Sequence, residues 1–383
     1  VATILDRPSA RRARRGAASP LHHVDLTLVS ATLVLAAFGV LMVYSATQRR
    51  LDDNGLDRFF YLKRQGAFVL IGIAVLAAVS AIDYRKYRDF ASFIYAGTIA
   101  LLFLVLTPIG AAHKGQQASF DVGAFQLQPS EFAKVALVIA VASYIGSQRG
   151  TLDGRSLMTV LGLAGLPMLL IYLQPDVGTA LVFMAILLGM LMVGGARPRH
   201  LVLLLGAGLI ALVAVVQLGV LQQYQLDRLG AFLDPTNDPQ RLTYNLDQSK
   251  TAIGSGGLLG KGLYRGTQTN LAYVPEQHTD FIFTAVGEQL GLVGSATALG
   301  LFAVVVWRVW RAAVLARDVT GTLMCIGVLA MLVFQLFQNV GMTTGIMPIT
   351  GIPLPLLSYG GSSALATFAG IGLVLNVHMH RFS

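Results

Sequence analysis

Val274-Pro275-Glu276-Gln277-His278-Thr279-Asp280-Phe281 is a polar, ionisable run that leads without a break into a long apolar segment at 280–307. That segment exceeds the roughly 20 residues a helix needs to cross a bilayer core. The run therefore sets Asp280 at the boundary between water and lipid, at the mouth of a helix. A carboxylate at that depth is costly to bury, which makes it a functional candidate.

The rest of the chain agrees with a membrane reading. Of 383 residues, 55% are hydrophobic and only 12% charged, against about 25% charged in soluble domains. The expected fold class is an all-α polytopic membrane protein. The net charge of +9 comes from short basic runs between apolar segments. That pattern sets membrane orientation and does not point to nucleic acid. The lone Cys325 sits in an apolar segment and reads as packing. No GxxxxGK[ST] run occurs, so no nucleotide cofactor is expected.

About ten transmembrane helices are expected, at 25–46, 65–82, 90–110, 131–147, 156–173, 177–194, 200–221, 280–307, 320–341 and 361–379. The fifth and sixth are joined only by Gln174-Pro175-Asp176 and read either as a hairpin or as a re-entrant pair. Arg11, Arg12, Arg14 and Arg15 precede the first span, which lacks a small-residue cleavage site and reads as an anchor. With the basic tail 1–24 in the cytoplasm, 16 Lys and Arg fall inside and 11 outside. Both termini, including 380–383, are then cytoplasmic. A single integral-membrane domain covers 25–379, with one large extracytoplasmic loop, 222–279, between helices 7 and 8. Loops 111–130 and 342–360 share that outer face, where the chemistry is expected.

Three outer stretches carry candidate chemistry. In the large loop, 244–253 has the pattern of a short amphipathic helix, followed by Gly254-Ser255-Gly256-Gly257-Leu258-Leu259-Gly260-Lys261-Gly262. Such glycine density reads either as a turn packed on the membrane surface or as a phosphate cradle to which Lys261 adds charge. Gln128-Pro129-Ser130-Glu131-Phe132-Ala133-Lys134 has the form of a helix start. Glu131 and Lys134, three apart, can pair. The pair is either a tie between helices or a support for Asp280 or a substrate phosphate. The prolines and glycines of 339–363 cannot continue a helix. Irregular backbone at membrane depth needs protein or a wet cavity around it, and Ser358, Tyr359, Ser362 and Ser363 offer hydroxyls there. Glu288 reads as structural and Asp176 as a helix cap. His278 has no partner at metal-ligand spacing, so no metal site is assigned.

Together, QPSEFAK from Gln128, QPDVGTA from Gln174, IGSGGLLGKGLYRGTQTNLAYVPEQHTDFIF from Ile253 and ITGIPLPLLSYGGSS from Ile349 resemble the SEDS family. These are the shape, elongation, division and sporulation proteins, and the resemblance is to the rod-shape branch, RodA, more than to FtsW. It runs from the first span to the last. It implies a peptidoglycan glycosyltransferase that polymerises lipid II on the outer face of the bacterial cytoplasmic membrane during cell elongation. A class B penicillin-binding protein is the implied partner, with membrane lipids around both. The family's catalytic aspartate falls on Asp280, and its Glu/Lys pair on Glu131 and Lys134. One departure matters: members carry Arg-Trp shortly before the glycine of the 111–130 loop, where this chain has Ala118 and Ser119 before Gly123. Lys114 or another base must then take the arginine's place.

Forming a β-1,4 link from an α-pyrophosphate inverts the anomeric carbon, so a single displacement needs one base. Asp280 is expected to take the proton from the acceptor's 4-hydroxyl. The leaving pyrophosphate calls for positive charge, from Lys114, Arg241 or Lys261, or from a divalent cation such as Mg²⁺. Gln277, His278, Thr279, Ser358, Tyr359 and Ser362 are the other expected substrate contacts. The rival readings are a lipid II flippase and a non-catalytic scaffold. Ionisable groups clustered on the outer side speak against the first, and the Asp280 run against the second.

Overall fold

Long apolar runs become helices here, and an aspartate caps the start of several of them. A computed structural model describes residues 23–113, 116–123, 125–148, 152–204, 206, 208 and 242–382. Helix α1 (Leu26–Asp53) starts at Asp25, whose carboxylate accepts the Leu28 N–H at 3.1 Å. Helices α2 (Phe60–Ala81), α3 (Tyr84–Asp89) and α4 (Ala91–Val105) follow. Helix α5 (Pro129–Ser147) opens on a proline, whose missing N–H has no intrahelical partner to lose at that position. Helices α6 (Gly154–Leu173) and α7 (Val177–Val193) are capped by Asp153 and Asp176 and pack on each other. The Gln174-Pro175-Asp176 junction is thus a turn between two helices. Next come α8 (Leu242–Ser255), α9 (Thr267–Asn270), α10 (Ile282–Val314), α11 (Val319–Thr344) and α12 (Gly361–Met379).

Seven of the described helices (α1, α2, α5, α6, α10, α11 and α12) are long and apolar enough to cross a membrane, and α4 and α7 are shorter apolar helices. The molecule is a helical, multi-pass membrane protein. Nine of the expected spans coincide with these helices. The expected span at 200–221 lies largely outside the described residues, as do the loop from 222 to 241 and the tail up to residue 22.

Three features depart from expectation. Loop 111–130 is an antiparallel meander of β1 (Ala111–His113), β2 (Gln116–Val122) and β3 (Phe125–Leu127). Phe120, Val122, Phe125 and Leu127 favour strand, and Gly123 turns between them at φ 60°. Helix α11 runs to Thr344, beyond the expected 341, and stops where Gly345 adopts a left-handed cap at φ 83°. Helix α10 runs on to Val314, beyond the expected 307, and is two helices joined at Gly291 (φ 65°, ψ −159°).

The break at Gly291 leaves backbone groups without helical partners, and the glycine run supplies them. The Lys261 and Gly262 amides donate to the Glu288 and Gln289 carbonyls at 3.0 and 2.9 Å. In return, Leu292 and Val293 donate to the Gly257 and Leu258 carbonyls at 2.9 and 3.1 Å. A side chain at Gly260 would collide with the Gln289 backbone, which explains the small residue at this approach.

Helix α12 forms the core of the bundle, packed on α2, α5, α10 and α11. Near its end, Asn376 donates to the Ser80 carbonyl at 2.8 Å and accepts the Tyr84 N–H at 2.7 Å. It thereby fixes the corner between α2 and α3. On the expected cytoplasmic side, Arg308 Nε donates to buried Asp25 at 2.8 Å, tying α10 to the start of α1.

Candidate active site

The run 274–281 folds into a tight turn ahead of α10. Glu276 takes a left-handed conformation (φ 51°), so the Thr279 and Asp280 amides both reach its carbonyl, at 3.2 and 3.1 Å. A non-glycine residue in that region is strained, and such strain concentrates at functional sites. The Thr279 hydroxyl closes the turn on the same carbonyl at 3.0 Å. Asp280 stands one residue ahead of Phe281, the N-cap position of α10. Asn339 of α11 donates to the Asp280 carbonyl and to the Ile352 carbonyl, each at 2.8 Å. Gly351 (φ 73°) lies so close that a Cβ there would stand 3.4 Å from Asp280 Oδ2.

Asp280 opens into a cleft of about 690 Å³ between α2, the meander, the 274–281 turn and the start of α12. Arg64, Asp121, Glu276, His278, Tyr359 and Ser362 share its lining. Aromatic rings build one wall: Tyr61 lies 4.7 Å from His278 and 4.9 Å from Tyr359, centroid to centroid. Arg64 lies over the Phe60 ring at 4.2 Å and beside the Tyr359 hydroxyl. Burial pushes the Tyr359 phenol above its usual range, and the Arg64 guanidinium opposes that rise. Ala118 and Ser119, the residues at the departing positions, also line the cleft.

The sequence-expected residues fare unequally. His278, Thr279, Asp280, Tyr359 and Ser362 come together in the cleft. Ser362 also bridges backbone, accepting from Gln128 N at 3.0 Å and donating to the Gln126 carbonyl at 2.8 Å. Glu131 and Lys134 do pair, at 2.7 Å and deeply buried, but neither lines the cleft; Gln128, at the start of α5, does. Lys261 is turned elsewhere. Its ammonium meets the wholly buried Glu288 at 2.9 Å, and Glu288 also collects the Gln268 and Thr269 amides at 2.8 and 2.9 Å. The glycine loop's lysine is thus a tie between loop and helix. Ser358 is buried, its hydroxyl accepting the Leu354 N–H at 2.8 Å. Gln277 is buried too, donating to Thr269 and Thr284 at 3.1 and 3.0 Å. Lys114 and Arg241 lie outside the described residues.

Arg64, Tyr61, Asp121 and Glu276 were not anticipated as site residues. Arg64 belonged to a loop whose charges were explained by orientation. The available signal was the helical spacing of Phe60, Tyr61, Arg64 and Phe68, which sets rings and a cation on one face of α2. Asp121, Glu276 and Asp280 all line the cleft, yet among the described residues no three His, Cys, Asp or Glu side chains form a group able to hold a metal ion.

With the cleft in view, the relationship to known proteins is direct. A family model described as cell cycle protein, covering FtsW, RodA and SpoVE, matches residues 26–383. The chain belongs to this family. Stage V sporulation protein E of Bacillus subtilis is 38% identical over 356 residues, 92% of this chain and 96% of that protein. The peptidoglycan glycosyltransferase MrdB of Escherichia coli K12 is 35% identical over 362 residues, 94% of each. Among solved structures, a chain of a peptidoglycan synthase complex superposes with a TM-score of 0.80 at 32% identity, covering 94% of this chain and 99% of its own. RodA of Thermus thermophilus gives 0.70 at 30% identity, covering 94% and 98%. Members of the family from sporulation and from cell-wall synthesis thus share this whole architecture.

Proposed function

We propose that the 690 Å³ cleft is where this chain joins two saccharides, with Asp280 as the general base. The chain is a peptidoglycan glycosyltransferase, as its relatives are. The finer reading is polymerisation of lipid II on the outer face of the bacterial cytoplasmic membrane, in the elongation branch. Likeness to solved RodA supports the branch, and the inside excess of basic residues supports cytoplasmic termini. A class B penicillin-binding protein as partner is supported by the likeness to a chain of a peptidoglycan synthase complex.

The carrying observation is that Asp280 and Arg64 share one cleft. Asp280 takes the proton from the acceptor's 4-hydroxyl as that oxygen bonds to the donor's anomeric carbon. The bond from that carbon to the phosphate oxygen breaks, and the pyrophosphate leaves with the electron pair. Arg64 meets the charge that develops on it, as a fixed cation at a leaving group does. Tyr61, His278 and Tyr359 offer flat faces for sugar rings. Glu131 and Lys134 support the region from below by pairing within α5. Purified chain with its partner protein, given labelled lipid II in detergent, should form polymer. Asp280→Asn should lose polymer while keeping its thermal unfolding profile, and near-normal polymer from that variant would end the proposal. Detergent removes any membrane to cross, so polymer there also separates transfer from flipping.

A further inference from the structure

A second outer cavity, of about 590 Å³, lies directly behind the wall of the first. The two share Tyr61, Glu276 and His278. The partition is thus the Tyr61–His278 ring pair together with the strained Glu276. Asp280 is on one side only.

The second cavity also has its own cation. Arg50 stands in the last turn of α1 and lines it. Neighbouring Arg49 engages Asp53 at 3.6 Å, and Lys63 engages Asp57 at 2.7 Å, whereas Arg50 makes no ion pair among the described residues. Thr47, Asn54 and Gln277 bring hydroxyl and amide groups, and Leu51 and Val274 bring apolar surface. A positive charge beside mixed polar and apolar walls suits a sugar chain that carries a phosphate.

Reaction geometry says why one cleft with one cation does not suffice. In a donor, the pyrophosphate sits on the reacting carbon, so its cation must share the cleft with the base, as Arg64 does. In an acceptor, the reacting hydroxyl is on the outer sugar and its own pyrophosphate lies at the other end of the disaccharide. An acceptor reaching Asp280 with its outer sugar needs a second anion contact away from the first. Building on the proposed transfer at Asp280, we infer that the second cavity is the acceptor subsite, binding a lipid-linked saccharide pyrophosphate with Arg50 on its phosphates. Tyr61, His278 and Glu276 then form the sill across which the two saccharides meet.

Binding without turnover tests this apart from catalysis. The full chain carrying Asp280→Asn, in detergent, is titrated with lipid II and its bound stoichiometry read by native mass spectrometry. Two lipid II molecules are expected per chain, and one when Arg50→Ala is added. Arg50→Lys should restore part of the second binding. A kinetic arm uses active chain and a lipid II whose outer 4-hydroxyl is blocked, which can only donate. Arg50→Ala should raise the half-saturating concentration of unblocked acceptor about tenfold or more, the weight of a charged hydrogen bond, and leave that of the blocked donor within twofold. A single lipid II on Asp280→Asn overturns the inference, as does an Arg50→Ala chain that still binds two or that weakens the donor instead. Polymer formation by Asp280→Asn would instead sink the base assignment, an outcome separate from the stoichiometry.

Discussion

Asn339 Nδ2 donates at 2.8 Å to the Asp280 carbonyl and at 2.8 Å to the Ile352 carbonyl. One buried amide on α11 therefore holds the mouth of α10 against the loop after α11. The carboxylate of Asp280 faces Gly351 across that clamp. Two carbonyls lose their donor together if the amide goes, each at a cost of about 1–3 kcal/mol when buried. Asn339→Ala should cut the polymerisation rate at least about tenfold without touching the cleft lining. A polymerisation assay beside a thermal melt checks this; full rate in a stably folded variant removes the clamp's role.

Gly351 tests the same junction from the opposite side. Its φ of 73° disfavours any side chain, by roughly 1–2 kcal/mol. An added methyl would also press on the carboxylate oxygen. Gly351→Ala is expected to lower activity more than its modest loss of melting temperature would explain. Equal losses in both would show that strain alone was at work.

Lys261 separates the two readings of the glycine loop. Because its ammonium is committed to Glu288, Lys261→Ala should destabilise the protein by about 2 kcal/mol. The concentration of lipid II giving half-maximal rate should stay within twofold. A large rise in that concentration at unchanged stability would return the lysine to the substrate.

Arg308 and Asp25 form a buried pair, their side chains 13% and 2% exposed. Removing one partner strands a charge, a loss of about 3–5 kcal/mol. Arg308→Ala should therefore lower the unfolding temperature in detergent markedly, and the double change Asp25→Leu with Arg308→Met should lower it less. If the double variant is the worse of the two, the pair contributes more than compensation of charge.

Much of this was legible in the residues. Long apolar runs can only be helices in lipid, so the described spans were readable, with ends off by up to seven residues. Asp280 stood out because burying it is costly, and Glu131 with Lys134 because three residues bring them to one helical face. What escaped was long-range. Tyr61 meets His278 across more than half the chain, and Arg64 was hidden among charges already explained by topology. Ser358 carried a hydroxyl at a promising place, but burial committed it to the Leu354 amide. The meander escaped because strands of three and seven residues leave almost no periodic signal. The break at Gly291 was one glycine inside an apolar run, and only its partner loop gives it meaning.

That break has a mechanical side. Four backbone hydrogen bonds stitch residues 257–262 into the gap in α10, and Lys261 with Glu288 rivets the same seam. Loop and helix are therefore cross-linked into one unit, which exposes Leu258 and Leu259 at the seam and whose helix begins two residues after Asp280. That pair of exposed leucines is therefore tied through backbone bonds to the helix that begins beside Asp280.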